Sequence, residues 1–294
     1  MSLNDALAGG EFVVTAELGP PLEPDPDLVR TKARALAGVV RAANVTDNQA
    51  ATVKLAPLAC AVWMLEEGVE PILQMTTRDR NLMALQSDLL AAWALGVRAV
   101  LTLTGDPLKV GPYEELTKPV ADVDSFGLSR LVKELNAGRL AAGETLEHPT
   151  GFLVAGAANP LVDTLERLEQ KLESGVDFFQ SNIVYDVDRF AAWFGQVVAA
   201  GIAERAPFLV GVTPPRSTRM LRHMHDNIPG VEVDDATFAR LEGLEGDEAK
   251  AAGVEVAVDV IARLRDVPGV SGIHVMAPGW EAEAVPRVVK AAGL

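Results

Sequence analysis

Eight short apolar runs, each followed by a stretch of helical periodicity, constrain this chain more than any other feature. The runs are FVVTAE at 12–17, VVRAANVTD at 39–47, EPILQMTT at 70–77, AVLTLTGD at 99–106, GFLVAGAA at 151–158, FFQSNIV at 178–184, FLVGVTP at 208–214 and GIHVMAP at 272–278. They are apolar throughout, as parallel strands covered on both faces are. Between them, Leu161, Leu165, Leu168 and Leu172 step along one face of a helix over 161–174, which Gly175 closes. Leu82, Leu85, Leu89 and Trp93 make the same stripe within 80–95. Eight β-then-α units in 294 residues predict one (β/α)8 barrel, the TIM-barrel architecture, over 1–294. An open doubly wound sheet is the alternative, but no GxGxxG follows the first strand. The connection after the fourth strand, around 107–125, is longer than a minimal unit needs. It reads as a functional loop at the barrel top, ahead of a helix at about 126–137.

Charge narrows the function classes. The chain carries 41 acidic and 26 basic side chains, a formal net charge of −15, with no clustered Lys and Arg for phosphate neutralisation. Nucleic acid and anionic membrane surfaces are therefore excluded as main partners. The most apolar window, LLAAWALGVRAVLTLTG, is interrupted by Gly96 and Arg98 and reads as a helix running into a strand. The N-terminus lacks the basic-then-apolar pattern of a signal peptide, so a soluble cytoplasmic protein is expected. The single cysteine, Cys60, lies in an apolar run and is expected to be a packed core thiol.

In such a barrel the chemistry sits where the strands end. Strand 1 ends in Glu17, just before Gly19-Pro20-Pro21; strand 2 in Thr46, Asp47 and Asn48; strand 3 in Gln74, Thr76 and Thr77, then Arg78 and Asp79. Strand 4 ends in Thr104, Gly105 and Asp106, strand 5 in Ala157, Ala158 and Asn159. Strand 6 carries Gln180, Ser181 and Asn182, strand 7 ends in Thr213, and strand 8 in Met276, with Trp280 beyond. Two carboxylates, Glu17 and Asp106, thus meet a ring of amides and hydroxyls, in a set expected to hold no histidine and no thiol. A Ser-His-Asp triad and a zinc site are both disfavoured, and no metal is expected. A two-carboxylate hydrolase remains open on residue types, although the mouth offers few aromatic platforms for a sugar. An acid at the end of a buried strand is costly unless paired or functional, which singles out Glu17. Trp280 either covers a flat ligand or packs on the helix EAVPRVVKAAG.

These strand ends resemble those of the methylenetetrahydrofolate reductase family along nearly the whole chain. TAELGPP, NVTDN, QMTTRDRNLMALQSDLLAAWALGVRAVLTLTGD, GAANP, RLEQKLESGVDFFQSNIVYD and LVGVTPPRST occur in that family's order. The resemblance implies a flavoprotein barrel that passes a hydride from NAD(P)H through FAD to 5,10-methylenetetrahydrofolate. It implies Glu17 as general acid and Asp106 as the acid near the flavin or pterin edge. It also implies Thr46, Gln74, Thr104, Gly105, Asp106, Ala157 and Lys171 around FAD, and Glu17, Asp106, Gln180, Asn182 and Trp280 around folate. Gln180 and Asn182, on one side of their strand, are expected to share the role of the family's folate-binding glutamine. Gln74 stands where many members have His, Ala157 where some have Tyr, Thr164 where Asp occurs, and Asn182 where Gln occurs. A member that binds folate without FAD, and acts with a partner in methyl transfer, is the alternative. The partners implied are folate and nicotinamide; a homo-oligomer or a partner subunit is compatible with the sequence.

Overall fold

A computed structural model describes residues 1–294. Eight parallel strands close on themselves in sequence order, with β8 returning to pair with β1. The strands are β1 Val13–Leu18, β2 Ala42–Val45, β3 Pro71–Thr76, β4 Ala99–Leu103, β5 Leu153–Ala158, β6 Phe178–Ile183, β7 Phe208–Val212 and β8 Val270–Val275. The helices are α1 Leu3–Ala8, α2 Pro26–Leu36, α3 Pro57–Glu66, α4 Leu82–Ala94, α5 Ser125–Asn136, α6 Leu165–Glu173, α7 Val187–Ala199, α8 Ile202–Arg205, α9 Thr218–Asn227, α10 Asp235–Leu241, α11 Gly246–Arg265 and α12 Glu281–Ala291. The (β/α)8 barrel read from the sequence is therefore the observed architecture.

Strand periodicity divides the core in two. Val14, Ala16 and Leu18 of β1, Leu73 and Met75 of β3, and Ile273 and Val275 of β8 point outward into the large cluster beneath the helices. Val13, Ala42, Ile72, Ala99, Leu101, Ala155, Phe178 and Leu209 point inward and fill the lower barrel as a separate apolar cluster. Leu3 and Ala6 of α1 complete that cluster from below. A capping box of Ser2 and Asp5 starts this short helix, and Glu70 Oε2 accepts the Leu3 N–H at 2.8 Å, docking it under β3. Cys60 is fully buried, and burial pushes its thiol up to about 12, which leaves it a packing group.

Three departures from the sequence expectations have local causes. The helix expected from 161 begins at Leu165, because the Thr164 hydroxyl caps it and Leu161 adopts φ +67° in the preceding turn. The fourth strand stops at Leu103, since Gly105 turns the chain at φ +93°. Between β7 and α11 the chain inserts α9 and α10, held by a third apolar cluster that includes Tyr185, Leu221, Met224, Val231 and Leu241. No helix is long and apolar enough to cross a membrane.

The lower seal sets a stability test. Leu3→Ala should destabilise the barrel by about 2–4 kcal/mol, the cost of emptying a fully buried leucine site. Urea unfolding measures this, and a change under about 0.5 kcal/mol would show that α1 is not part of the cooperative core.

Candidate active site

Above the apolar plug the inward column turns polar. Asn44 of β2 and Gln180 of β6 pair amide to amide across the barrel, with contacts of 2.8 and 3.0 Å. The Gln180 Nε2 also reaches Thr15 Oγ1 and His274 Nδ1, both at 3.3 Å, and Thr15 Oγ1 lies 2.9 Å from the same ring nitrogen. Gln180 is thus a floor residue whose amide is committed within the protein; Asn182, which also lines the cavity, accepts the Ile183 N–H at 2.8 Å and lies 3.4 Å from the Pro229 carbonyl. With the Gln180 amide so oriented, His274 Nδ1 accepts, and Nε2 carries the proton with no protein acceptor. Burial lowers the His274 pKa to about 3, so the imidazole is neutral at every physiological pH.

A cavity of about 710 Å³ opens over this floor. Its lining brings together Glu17, Gln74, Thr104, Gly105, Asp106, Ala157, Lys171, Gln180 and Asn182. Two expected residues are not among them. Thr46 is buried outside the lining, and its neighbour Asp47 lines the cavity instead. Trp280, only 7% exposed, belongs to the hydrophobic core under the helices and does not line this cavity. The expectation of a mouth without histidine is likewise corrected by His274, which lines the cavity. A period-two reading of β8 places His274 with Gly272 and Met276 on the inner face, and the same reading of β2 places Asn44 inside. Both signals were available in the sequence.

Glu17 ends β1 on the inner face and is 7% exposed. Burial raises its carboxyl to about 7; the nearby Glu281 carboxylate adds to the rise, while the Gln49 and Gln74 side chains oppose it. Neighbouring loops are tied tightly around it. Asp47 accepts the Thr76 N–H and hydroxyl at 2.8 and 2.9 Å and pairs with Arg80 at 2.6 Å. The Arg78 guanidinium donates to the Asp106 and Asn48 carbonyls. Asp106 Oδ2 itself accepts the Ala50 N–H at 2.7 Å, joining the loop after β4 to the turn after β2. On the opposite rim, Lys171 Nζ bonds Asp163 at 2.6 Å and the Ala157 carbonyl at 2.7 Å, and Arg167 pairs with Asp163 at 3.1 Å. Burial pulls the Lys171 ammonium below the usual lysine range, against the pull of Asp163.

Fold and site together define a one-ended (β/α)8 protein with a buried acid at its mouth. A family model, "Methylenetetrahydrofolate reductase", matches residues 2–293, and the chain belongs to that family. Methylenetetrahydrofolate reductase 1 of Schizosaccharomyces pombe is 24% identical over 241 residues, covering 77% of this chain and 36% of that protein. Methylenetetrahydrofolate reductase 2 of Saccharomyces cerevisiae is 26% identical over 216 residues, covering 71% and 34%. The chain therefore spans about a third of the length of these curated relatives. Among solved structures, an uncharacterised Clostridium thermocellum protein that binds two copies of 5-methyl-5,6,7,8-tetrahydrofolic acid shares the fold. It matches 98% of both chains with a TM-score of 0.69 at 14% identity.

Glu17 and His274 pull the pH dependence of stability in opposite directions. Between about pH 4.5 and 7 the unfolded chain has released the Glu17 proton that the folded chain retains, so stability falls as pH rises. Below about pH 6.5 the unfolded chain protonates a histidine that the folded chain keeps neutral, so stability falls as pH drops towards 3. Glu17→Gln should remove the first slope and stabilise the protein at pH 8 by up to roughly 3 kcal/mol relative to pH 4. Denaturant midpoints across pH measure it; an unchanged slope would place the Glu17 carboxyl in the ordinary range.

Proposed function

We propose that this chain reduces 5,10-methylenetetrahydrofolate to 5-methyltetrahydrofolate, with NAD(P)H as the ultimate hydride donor. The observation that carries this reading is Glu17, a buried carboxyl poised near neutrality over an enclosed polar floor, in a chain of this family. A general acid works best when its pKa lies near the working pH. Glu17 holds the proton needed by N10 as the C–N10 bond of the bridging methylene breaks, leaving an N5 iminium whose carbon accepts a hydride. The amides of Gln180 and Asn182 and the carboxylate of Asp106 line the cavity and suit the donor and acceptor edge of a pterin. The committed Asn44–Gln180–His274 floor leaves the His274 Nε2–H as its one donor without a protein acceptor. The Clostridium thermocellum protein, which binds a methylated folate on the same fold, is consistent with this ligand class.

For FAD, the residues on the β3–β5 side of the cavity are Gln74, Thr104, Gly105 and Ala157. Arg167 and Lys171 supply cations on the β5 side, suited to a diphosphate. Bound there, FAD would relay the hydride from nicotinamide to folate. A second reading, direct transfer from nicotinamide or folate binding alone with a partner, is favoured by two observations. No Phe, Tyr or Trp lines the cavity, and Asp163 already pairs with both cations.

The visible absorbance spectrum of the purified protein, before and after adding FAD, separates the two readings. A flavin band bleached by NAD(P)H and restored by methylenetetrahydrofolate supports the flavin route. Turnover without any band supports the second reading. Glu17→Gln should lower folate reduction at least about 100-fold while leaving oxidation of the nicotinamide by an artificial acceptor nearly intact. Equal loss of both would remove Glu17 from the acid role.

A further inference from the structure

Behind Glu17, on the side away from the cavity, lies a charged pair that no part of the proposed reaction uses. Glu281, the first residue of α12, is 1% exposed. Its Oε1 accepts from Lys32 Nζ of α2 at 2.6 Å and from the Gly19 N–H at 3.2 Å. Lys32 Nζ in turn donates to the Gly19 carbonyl at 2.8 Å. Both polar groups of Gly19 are therefore gripped by the same ion pair. Gly19 offers the last N–H before Pro20 and Pro21, neither of which can donate. The turn that follows Glu17 consequently has only this anchor on its donor side. The second oxygen, Glu281 Oε2, is buried with no partner. A pin of this kind needs only one acceptor. A half-satisfied buried carboxylate is an expensive way to supply it, which indicates a use for the charge itself.

We propose that Glu281, held by Lys32, is a positioning residue that grips Gly19 and so sets the Glu17 carboxyl at the cavity mouth beside a second carboxylate. This rests on the reading of Glu17 as a general acid. A carboxylate held beside a second one disfavours its ionisation, and burial disfavours it further. The groups facing Glu17 are Glu281 from α12, Gln49 from the turn after β2 and Gln74 from β3. The remaining charged groups of the cavity wall are Asp47, Asp106, Asp163, Arg167 and Lys171, with neutral His274 beneath. Glu281 is the negative charge whose effect on Glu17 comes second only to burial. Dividing the labour in this way lets the neighbouring acid stay out of contact with ligand. Glu281 bears on Glu17 through its charge and its hold on Gly19, and does not line the cavity.

The test is a carbon-13 NMR titration of the Glu17 carboxyl in the full chain labelled at glutamate, with Glu17→Gln identifying the resonance. Glu281→Gln keeps an acceptor for the Gly19 N–H and deletes the charge. It should move the Glu17 titration down by roughly one unit or more. The alkaline limb of kcat/KM should move down with it, while Glu281→Asp should stay nearer the wild type. A merely structural pin would alter stability and leave both titrations in place, and that outcome overturns the proposal. Should Glu281→Gln alone fail to fold, the double variant Glu281→Gln with Lys32→Met replaces the ion pair by neutral groups and is read the same way. The NMR readout needs no turnover. Retained folate reduction in Glu17→Gln would therefore refute the acid role while leaving the effect of Glu281 on Glu17 separately measurable.

Discussion

Closure of a parallel sheet into a barrel imposes one constraint from which the rest follows: every second side chain must enter a narrow interior that water cannot freely fill. Along each strand the inner column therefore changes character once, from apolar to polar, at the height where the active chemistry begins. Val13, Thr15 and Glu17 record that change within a single strand. The apolar lower part needs no partners beyond itself and α1. The polar upper part can exist only because its groups satisfy one another, as the Asn44–Gln180 amide pair and the Thr15–His274 contact do.

That satisfaction is incomplete: Thr77, Asn159 and Thr213 near the strand ends and Glu281 behind Glu17 each bury an oxygen with no partner. Glu17 itself faces two amides, a cavity and another carboxylate. Low solvent access makes each of these neighbours count for more than it would in water. The same environment that holds a proton on Glu17 strips one from His274, because desolvation favours whichever form is neutral. Burial thus pushes an acid and a base at one site in opposite directions, each towards its neutral form.

Much of this was legible in the sequence. Continuous apolar runs betrayed buried parallel strands, and Glu17 stood out because a carboxylate after such a run demands a reason. Other features were hidden by distance along the chain. The partners of His274 lie on β1 and β6, and the partner of Glu281 lies on α2. Nothing local to either residue distinguishes it from an ordinary buried histidine or a first-turn glutamate. Trp280 was ambiguous for a related reason: a tryptophan after the last strand suits a ligand or a helix equally well, and only packing decides for the helix. The stripe at Leu161 misled about where α6 begins because Thr164 caps the helix three residues later than periodicity alone suggests. The helix α1 is too short to carry a periodic signal of its own, so its sealing role emerges only from where it docks.

The seal made by α1 also governs traffic. With the lower end filled by Leu3, Ala6 and the apolar layer above them, the barrel is a vessel with one opening. Whatever binds over the polar floor must enter and leave through the same aperture, which the Gly105–Asp106 turn after β4 helps to line. Two ligands in such a vessel either lie face to face or take turns. When they lie face to face, the inner one cannot leave before the outer, and the order of release follows from the depth of the vessel; when they take turns, each must vacate it for the next.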